Sequence, residues 1–459
     1  MGRTAALAVK GKKPSGAREA ALHALVRYEQ DLAYLNLALP AVVNHLPEDE
    51  RALAVYLAGG TIQRLNTLDW VLNLYSKRSI DSMTPWLRNL LRLSAYQLLY
   101  MDRIPDYAAV NEAVKLARRY GHRGVAGLAN ALLRRLSKEA GALPWPDRDK
   151  ASEKYLALRY SIPEWLVTRM LKRFSFEETE KWAYASNLKP TVSIRPNLLK
   201  NSPAELQEKL TAAGIDTSAS STVPGMLHYQ GGANPAVTEF FRSGLYTIQG
   251  ESSALVAPLL NPDPAGTVID LCSAPGGKTT HLAELMSDRG QIYAVEKQKS
   301  RLQLIEKAAA RLGLKSVHPI LADGREIENE RLPKPTAILV DAPCSGLGVI
   351  RRLPEIKWRR KEADLPKMQT LQLQLLSAAA NLLLPGGKLL YSVCTTEPEE
   401  TGQVIKEFGS NHPDFMLDGL HPLLPGSLQS KLSTGPTVTI WPHLHELDGF
   451  FIAKWKKKS

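Results

Sequence analysis

Only three cysteines occur in 459 residues, at positions 272, 344 and 394. That set is odd and sparse, so it gives no disulfide framework, and it contains no Cys-x-x-Cys pair that would read as a metal site. A reducing cytoplasm suits such a chain, and no metal is expected. Long apolar runs are missing too. None approaches the roughly 20 residues needed to cross a bilayer, which excludes an integral membrane protein built on helices. The opening MGRTAALAVKGKKPSGAREA has a short alanine-rich patch but lacks the apolar core of a secretory signal. Ala6 stands where an acyl-anchor motif requires Ser or Thr. Acidic residues are also in deficit: 46 Asp and Glu face 58 Lys and Arg, a net charge of +12. Residues 1–140 hold 20 Lys and Arg against 12 Asp and Glu, two-thirds of the excess. A basic surplus attracts polyanions through counterion release. Charge by itself leaves RNA, DNA and anionic lipid open.

What the chain does have is ordinary globular composition, 44% apolar and 23% charged, at a length that predicts two or three domains. From about 17 to 137 the apolar residues recur at three-to-four spacing, as in AREAALHALVRYEQ, ERALAVYLAGGTIQRLNTLDWVLNLY and YAAVNEAVKLARRYG, which predicts helices. Ser137–Lys154 is polar with two prolines and reads as a linker. A mixed stretch follows: helical PEWLVTRMLKRF, strand-like TVSIRPN, the capped helix SPAELQEKLTAAG and a strand at GMLHY. It predicts a small α+β module. After about residue 245, strand-like runs alternate with helices, which implies a parallel sheet with helices on both faces. The expected division is 1–140 helical, 141–240 linker helices and small module, and 241–459 α/β.

In VIDLCSAPGGKTTHLAEL, a glycine-rich turn follows the first strand of that sheet. Gly276 and Gly277 let the backbone approach a ligand, and the helix beyond presents its N-terminus. The Gly-Gly-Lys-Thr tail resembles a phosphate loop, but that motif needs glycine where Cys272 stands. The dinucleotide fingerprint is absent as well. Acids instead close four successive strands: Asp270, Glu296, Asp323 and Asp341. A carboxylate about 20 residues past the loop binds ribose hydroxyls in doubly wound folds. Ribose plus a cationic part, with no string of phosphates, describes S-adenosylmethionine.

AILVDAPCSGLG and KLLYSVCTTEPEE then deliver Cys344 and Cys394 to the same rim of the sheet. Each alone reads as a small buried hydrophobe. Together, beside Asp341, they suggest methylation at carbon 5 of a pyrimidine. A thiolate adding to carbon 6 makes carbon 5 nucleophilic, dividing one hard step into easier ones. A free thiol, with a pKa near 8.5, is only a few per cent ionised at neutral pH, so the site must favour the anion. Asp341 could hold the cytosine ring nitrogen and amino group. Downstream, VIRRLPEIKWRRKEADLPKMQ places Arg351, Arg352, Lys357, Arg359, Arg360 and Lys361 around Trp358, a pattern that fits a phosphate backbone and a stacked base, or a solvated basic helix face. The target base must be unpaired or flipped.

DLCSAPGGKTTHLA, AVEK, ADG, DAPCSGLG, YSVCTTEPEE and the closing DGFFIAKW, in this order, resemble the RNA 5-methylcytosine methyltransferases. NEAVKLARRYG and GLANALLRRL resemble the NusB-type RNA-binding domain. The resemblance spans essentially the whole chain, with the middle module matched only loosely. It implies an all-α NusB-like N-terminal domain, a small α+β module and an α/β Rossmann-like methyltransferase domain. It also implies S-adenosylmethionine as cofactor and 16S ribosomal RNA as partner, met before or during small-subunit assembly, with no obligate protein partner. By the same resemblance, Cys272, Ser273, Ala274, Pro275, Gly276, Gly277 and Lys278 wrap the methionine part, Glu296 the ribose and Asp323 the adenine side. Asp341 then lies between cofactor and cytosine, Cys394 attacks, and Cys344 assists release. A transfer RNA methyltransferase would have a similar catalytic domain. A non-catalytic assembly factor would keep the fold without needing both thiols.

Overall fold

The computed structural model describes residues 13–31, 34–232, 234–327 and 332–459, so most of the opening stretch and the expectations placed on it lie outside the described residues. The chain forms two compact units: Met1–Asn187 with Leu353–Arg359, and Leu188–Arg352 with Arg360–Ser459. Among the described residues no helix is long and apolar enough to cross a membrane.

The first unit is helical. Ala17–Gln30, Glu48–Gln63, Leu65–Tyr75, Pro85–Tyr100, Asp106–Tyr120 and Arg123–Glu139 carry the apolar stripes that close its core, with Leu25, Leu57, Leu90 and Leu133 fully buried. The long periodic run ERALAVYLAGGTIQRLNTLDWVLNLY is two helices, because Arg64 leaves helical geometry between them (φ −107°, ψ 14°). The expected linker is shorter than its composition suggested. The preceding helix continues to Glu139 and the next begins at Ser152. Between them, Trp145 packs on Trp70 with ring centroids 4.7 Å apart, so even this proline-interrupted segment is anchored. Three further helices, Ser152–Arg159, Glu164–Leu171 and Phe176–Ala185, fall in this unit by compactness.

The second unit opens with a small antiparallel sheet of β1 (Ser193–Pro196), β2 (Thr217–Ala219), β3 (Leu227–Tyr229) and β4 (Tyr246–Ile248), in the order β2-β3-β1-β4. Its helix Pro203–Ala212 starts with a capping box in which Ser202 and Glu205 satisfy each other's backbone amides. The large sheet follows: β5 (Thr267–Asp270), β6 (Gln291–Glu296), β7 (Val317–Leu321), β8 (Ala337–Asp341), β9 (Lys388–Val393), β10 (Phe415–Leu417), β11 (Thr437–Ile440) and β12 (Phe450–Lys457). The order is β10-β12-β9-β8-β5-β6-β7, with β11 paired to β12. Strands β5 to β9 are mutually parallel and wound 3-2-1-4-5, while β12 runs antiparallel to β9. These parallel strands read as continuous apolar runs because both faces are covered. Winding reverses at β5, between β6 and β8, so the ligand crevice of this Rossmann-like domain opens beyond the carboxyl ends of those strands.

Candidate active site

The sheet brings the acids and thiols to one rim. β5 ends at Asp270, β6 at Glu296 and β8 at Asp341; Asp323 follows β7 by two residues, and Cys394 directly follows β9. Pairing of β8 with β9 sets Asp341 opposite Ser392, which fixes Cys394 next to the carboxylate by register.

Gly276 turns the glycine-rich loop into the helix Gly277–Leu285. Its φ is +103°, where a side chain is strained, and a Cβ would press to 3.3 Å on the backbone of Ile305. Ser273 ties the loop down with its backbone amide and hydroxyl on the carbonyl of Val295 (3.0 and 2.8 Å), and Arg301 donates to the carbonyl of Ala274 (3.0 Å). Asp270 is fully buried. Its Oδ2 accepts from Thr279 Oγ1 (2.7 Å), whereas Oδ1 has no partner. Burial pushes its carboxyl up to about 7, helped by the charge of Asp341. Cys272 is half-buried, and burial pushes its thiol well up, with the surrounding acids adding to the shift.

Glu296 is buried, with Oε1 accepting from the amide of Gln298 (2.9 Å). Asp323 pairs with Arg325 (2.6 Å) and Lys297 (2.8 Å), and those hydrogen bonds hold its carboxyl well below the usual carboxylate range. An orphaned buried oxygen, a buried strand-end acid and a glycine cradle fit a polar, ribose-bearing ligand at this crevice.

At the next strand end, Asp341 is engaged by both oxygens: Lys278 Nζ donates to Oδ2 (2.7 Å) and Ser392 Oγ to Oδ1 (2.6 Å). Beyond it, the sulfurs of Cys344 and Cys394 lie 3.3 Å apart, both half-buried. The contact with Cys394, with burial second, pushes the Cys344 thiol well up. Cys394 is braced from behind, its carbonyl accepting from the amide of Gly348 (3.0 Å).

The basic stretch after the second motif corrects the sequence reading. Lys357 is only 1% exposed and gives its ammonium to the carbonyl of Gln63 (2.9 Å); burial pushes its pKa well down. Trp358 donates from Nε1 to the carbonyl of Ile62 (2.6 Å), and the Arg359 guanidinium lies over Tyr28 and Tyr34. These three belong to the helical unit. Arg351 and Arg352 share the carboxylate of Asp448, and Arg352 also donates to the carbonyl of Thr191 (3.1 Å). All five side chains make internal contacts, and Lys357, being buried, is withdrawn from the solvent-facing role its composition suggested. Sequence reasoning missed Gln372, Ser392 and Glu400, which surround the two thiol loops with Arg360, a residue it had placed only in the basic stretch. Glu400 carried a local signal, closing the second thiol motif, but no chemistry assigned it.

A doubly wound sheet whose switch point carries this loop, with neither phosphate-loop nor dinucleotide spacing, defines a Rossmann-like methyltransferase domain. Residues 257–456 match the family described as 16S rRNA methyltransferase RsmB/F, 15–138 the NusB family, and 162–233 the ferredoxin-like domain of RsmF/B-like methyltransferases. The chain belongs to the 16S rRNA methyltransferase RsmB/F family. It is 39% identical to the "Probable ribosomal RNA small subunit methyltransferase B" of Bacillus subtilis (strain 168), over 97% of this chain and 100% of that one. The ribosomal RNA small subunit methyltransferase B of Cronobacter sakazakii is 32% identical over the same shares. Among solved structures, that of PH0851 superposes with a TM-score of 0.80 at 29% identity, covering 97% of this chain and 100% of that one.

Proposed function

We propose that this protein methylates carbon 5 of a cytosine in 16S ribosomal RNA, using S-adenosylmethionine and a transient bond between Cys394 and carbon 6. The observation that carries the reading is the 3.3 Å approach of the two sulfurs beside Asp341, at the ends of adjacent strands. Two thiolates so close would repel, so the pair ionises one sulfur at a time, and the strand register that sets Cys394 beside Asp341 supports Cys394 as the one that attacks. The names of the relatives support small-subunit ribosomal RNA as the substrate.

The loop from Cys272 to Lys278, with Glu296 and Asp323, would hold the cofactor. S-adenosylmethionine, when bound, supplies a sulfonium methyl group open to a carbon nucleophile. Asp341 accepts from the cytosine amino group and, by sharing a proton with the ring nitrogen, draws electrons onto the ring. Lys278 keeps that carboxylate oriented. As Cys394 adds to carbon 6, carbon 5 becomes the nucleophile. Afterwards Cys344, able to ionise once Cys394 is tied up in the adduct, takes the carbon 5 proton as a thiolate; that electron pair restores the double bond as the carbon 6–sulfur bond breaks and the Cys394 thiolate leaves.

Bisulfite sequencing of unmodified small-subunit RNA, after incubation with the protein and S-adenosylmethionine, tests the reading. One newly protected cytosine, dependent on both additions, is expected. No protected cytosine would overturn it.

A further inference from the structure

Glu400 plays no part in the methyl-transfer scheme, yet it lies fully buried behind the thiols in the one-turn helix Pro398–Glu400. Its Oε2 accepts from the backbone amide of Ser345 (2.8 Å) and from Nε2 of Gln372 (2.9 Å). Gln372, also fully buried on the helix Leu365–Leu382, donates from the same nitrogen to the carbonyl of Pro343 (3.0 Å). The backbone on both sides of Cys344 therefore hangs on one carboxylate–carboxamide pair. Glu400 Oε1 is buried without a partner, and burial pushes the carboxyl upward. An acid kept under such a penalty marks a place where geometry is being specified, since apolar packing there would cost less.

The two thiols depend on this pair unequally. Cys394 follows β9 directly, and strand register sets its position. Cys344 lies three residues past the end of β8, where no ladder holds it. Bonds to the turn fix its direction: those from Gln372 and Glu400, those that Arg360 donates to the carbonyls of Cys344 (3.2 Å) and Ser345 (2.9 Å), and the one from Ser345 Oγ to Thr395 Oγ1 (3.0 Å).

We propose that Glu400 is a positioning residue for product release: through the backbone of the Pro343–Ser345 turn it aims the Cys344 thiol, without touching RNA. The inference rests on the thiol roles proposed above. Both donors converge on a single oxygen, Oε2, so a carboxamide oxygen can replace it, whereas a methyl group cannot.

The test follows formation and decay of the protein–RNA adduct in denaturing gels, with full-length protein, unmodified small-subunit RNA and S-adenosylmethionine. Glu400→Ala should form the adduct at the wild-type rate but resolve it roughly 10- to 100-fold more slowly, as expected when a reacting group is displaced by up to an ångström. Glu400→Gln should restore release. Equal slowing of formation and decay in Glu400→Ala, or failure of a folded Glu400→Gln to rescue, overturns the inference. Should Glu400→Ala not fold, Gln372→Met breaks the same clamp and should stall release likewise; normal release in that variant overturns it too. Cys344→Ser serves as the reference. If that variant accumulates no adduct, the thiol assignment itself fails and the role of Glu400 falls with it, whereas a stalled Cys344→Ser beside a freely releasing Glu400→Ala sinks only the inference.

Discussion

Lys278 Nζ donates to Asp341 Oδ2 across 2.7 Å, so a cation from the glycine-rich loop and the carboxylate ending β8 act as one pair. Replacing Lys278 by Met keeps the apolar stem near Phe450, whose ring centre lies 5.4 Å from the ammonium, while leaving Asp341 without its cation. Initial rates of methyl incorporation should fall by roughly 10²- to 10³-fold, the usual cost of losing one oriented charge at a reacting centre. Urea unfolding should change by no more than about 1 kcal/mol, because the pair is partly exposed. A proportionate loss of stability and rate would make the pair structural.

The thiols should separate cleanly. Cys394→Ser should abolish both methylation and any covalent adduct. Cys344→Ser should permit attack and trap a denaturation-resistant protein–RNA species. Adduct accumulating with Cys394→Ser instead would mean that the two roles are exchanged.

Gly348 and Gly449 pack backbone against backbone beside Cys394. A Cβ on Gly348 would lie 2.0 Å from the carbonyl oxygen of Gly449 and 2.9 Å from that of Cys394. Gly348→Ala must push these segments apart, costing about 1–3 kcal/mol in denaturant unfolding. Methyl transfer should fall as Cys394 moves. Gly402→Ala, whose added Cβ meets nothing within 4 Å, should leave the rate unaltered.

The buried Asp270 gives a pH dependence of fixed sign. Its pKa is raised in the folded chain to about 7, whereas an unfolded Asp titrates near 3.9. Between these values the folded state binds the extra proton, so its stabilising share is complete below about 4 and is lost as pH rises through about 7. Asp270→Asn keeps an acceptor for Thr279 and removes the charge. Unfolding measured at intervals across that window should show the wild type losing stability relative to the variant as pH rises. An unchanged difference between the two would refute the assignment.

Much of this site can be read from the chain because its signals are local. Asp270, Glu296 and Asp341 each terminate an apolar run, and strand period with parallel winding brings such ends to one rim. Cys344 and Cys394 are legible as a pair for the same reason. Lys357 is misplaced by its sequence context because local pattern records charge, not the partner that meets it. Lys357 finds its acceptor at Gln63, 294 positions away, and nothing in KWRR distinguishes a buried ammonium from a solvated one. Glu400 is obscured similarly: a glutamate after a proline reads as a helix start, and its bond to Ser345 exists only once β8 and β9 lie side by side.

The seven residues Leu353–Arg359 also change what counts as a separable part. A fragment ending at Asn187 would omit Lys357 and Trp358, leaving the carbonyls of Gln63 and Ile62 without their donors. Exchange of the helical unit between relatives would therefore have to transplant two distant pieces of sequence together, and a chimera joined at a single point would inherit an incomplete core.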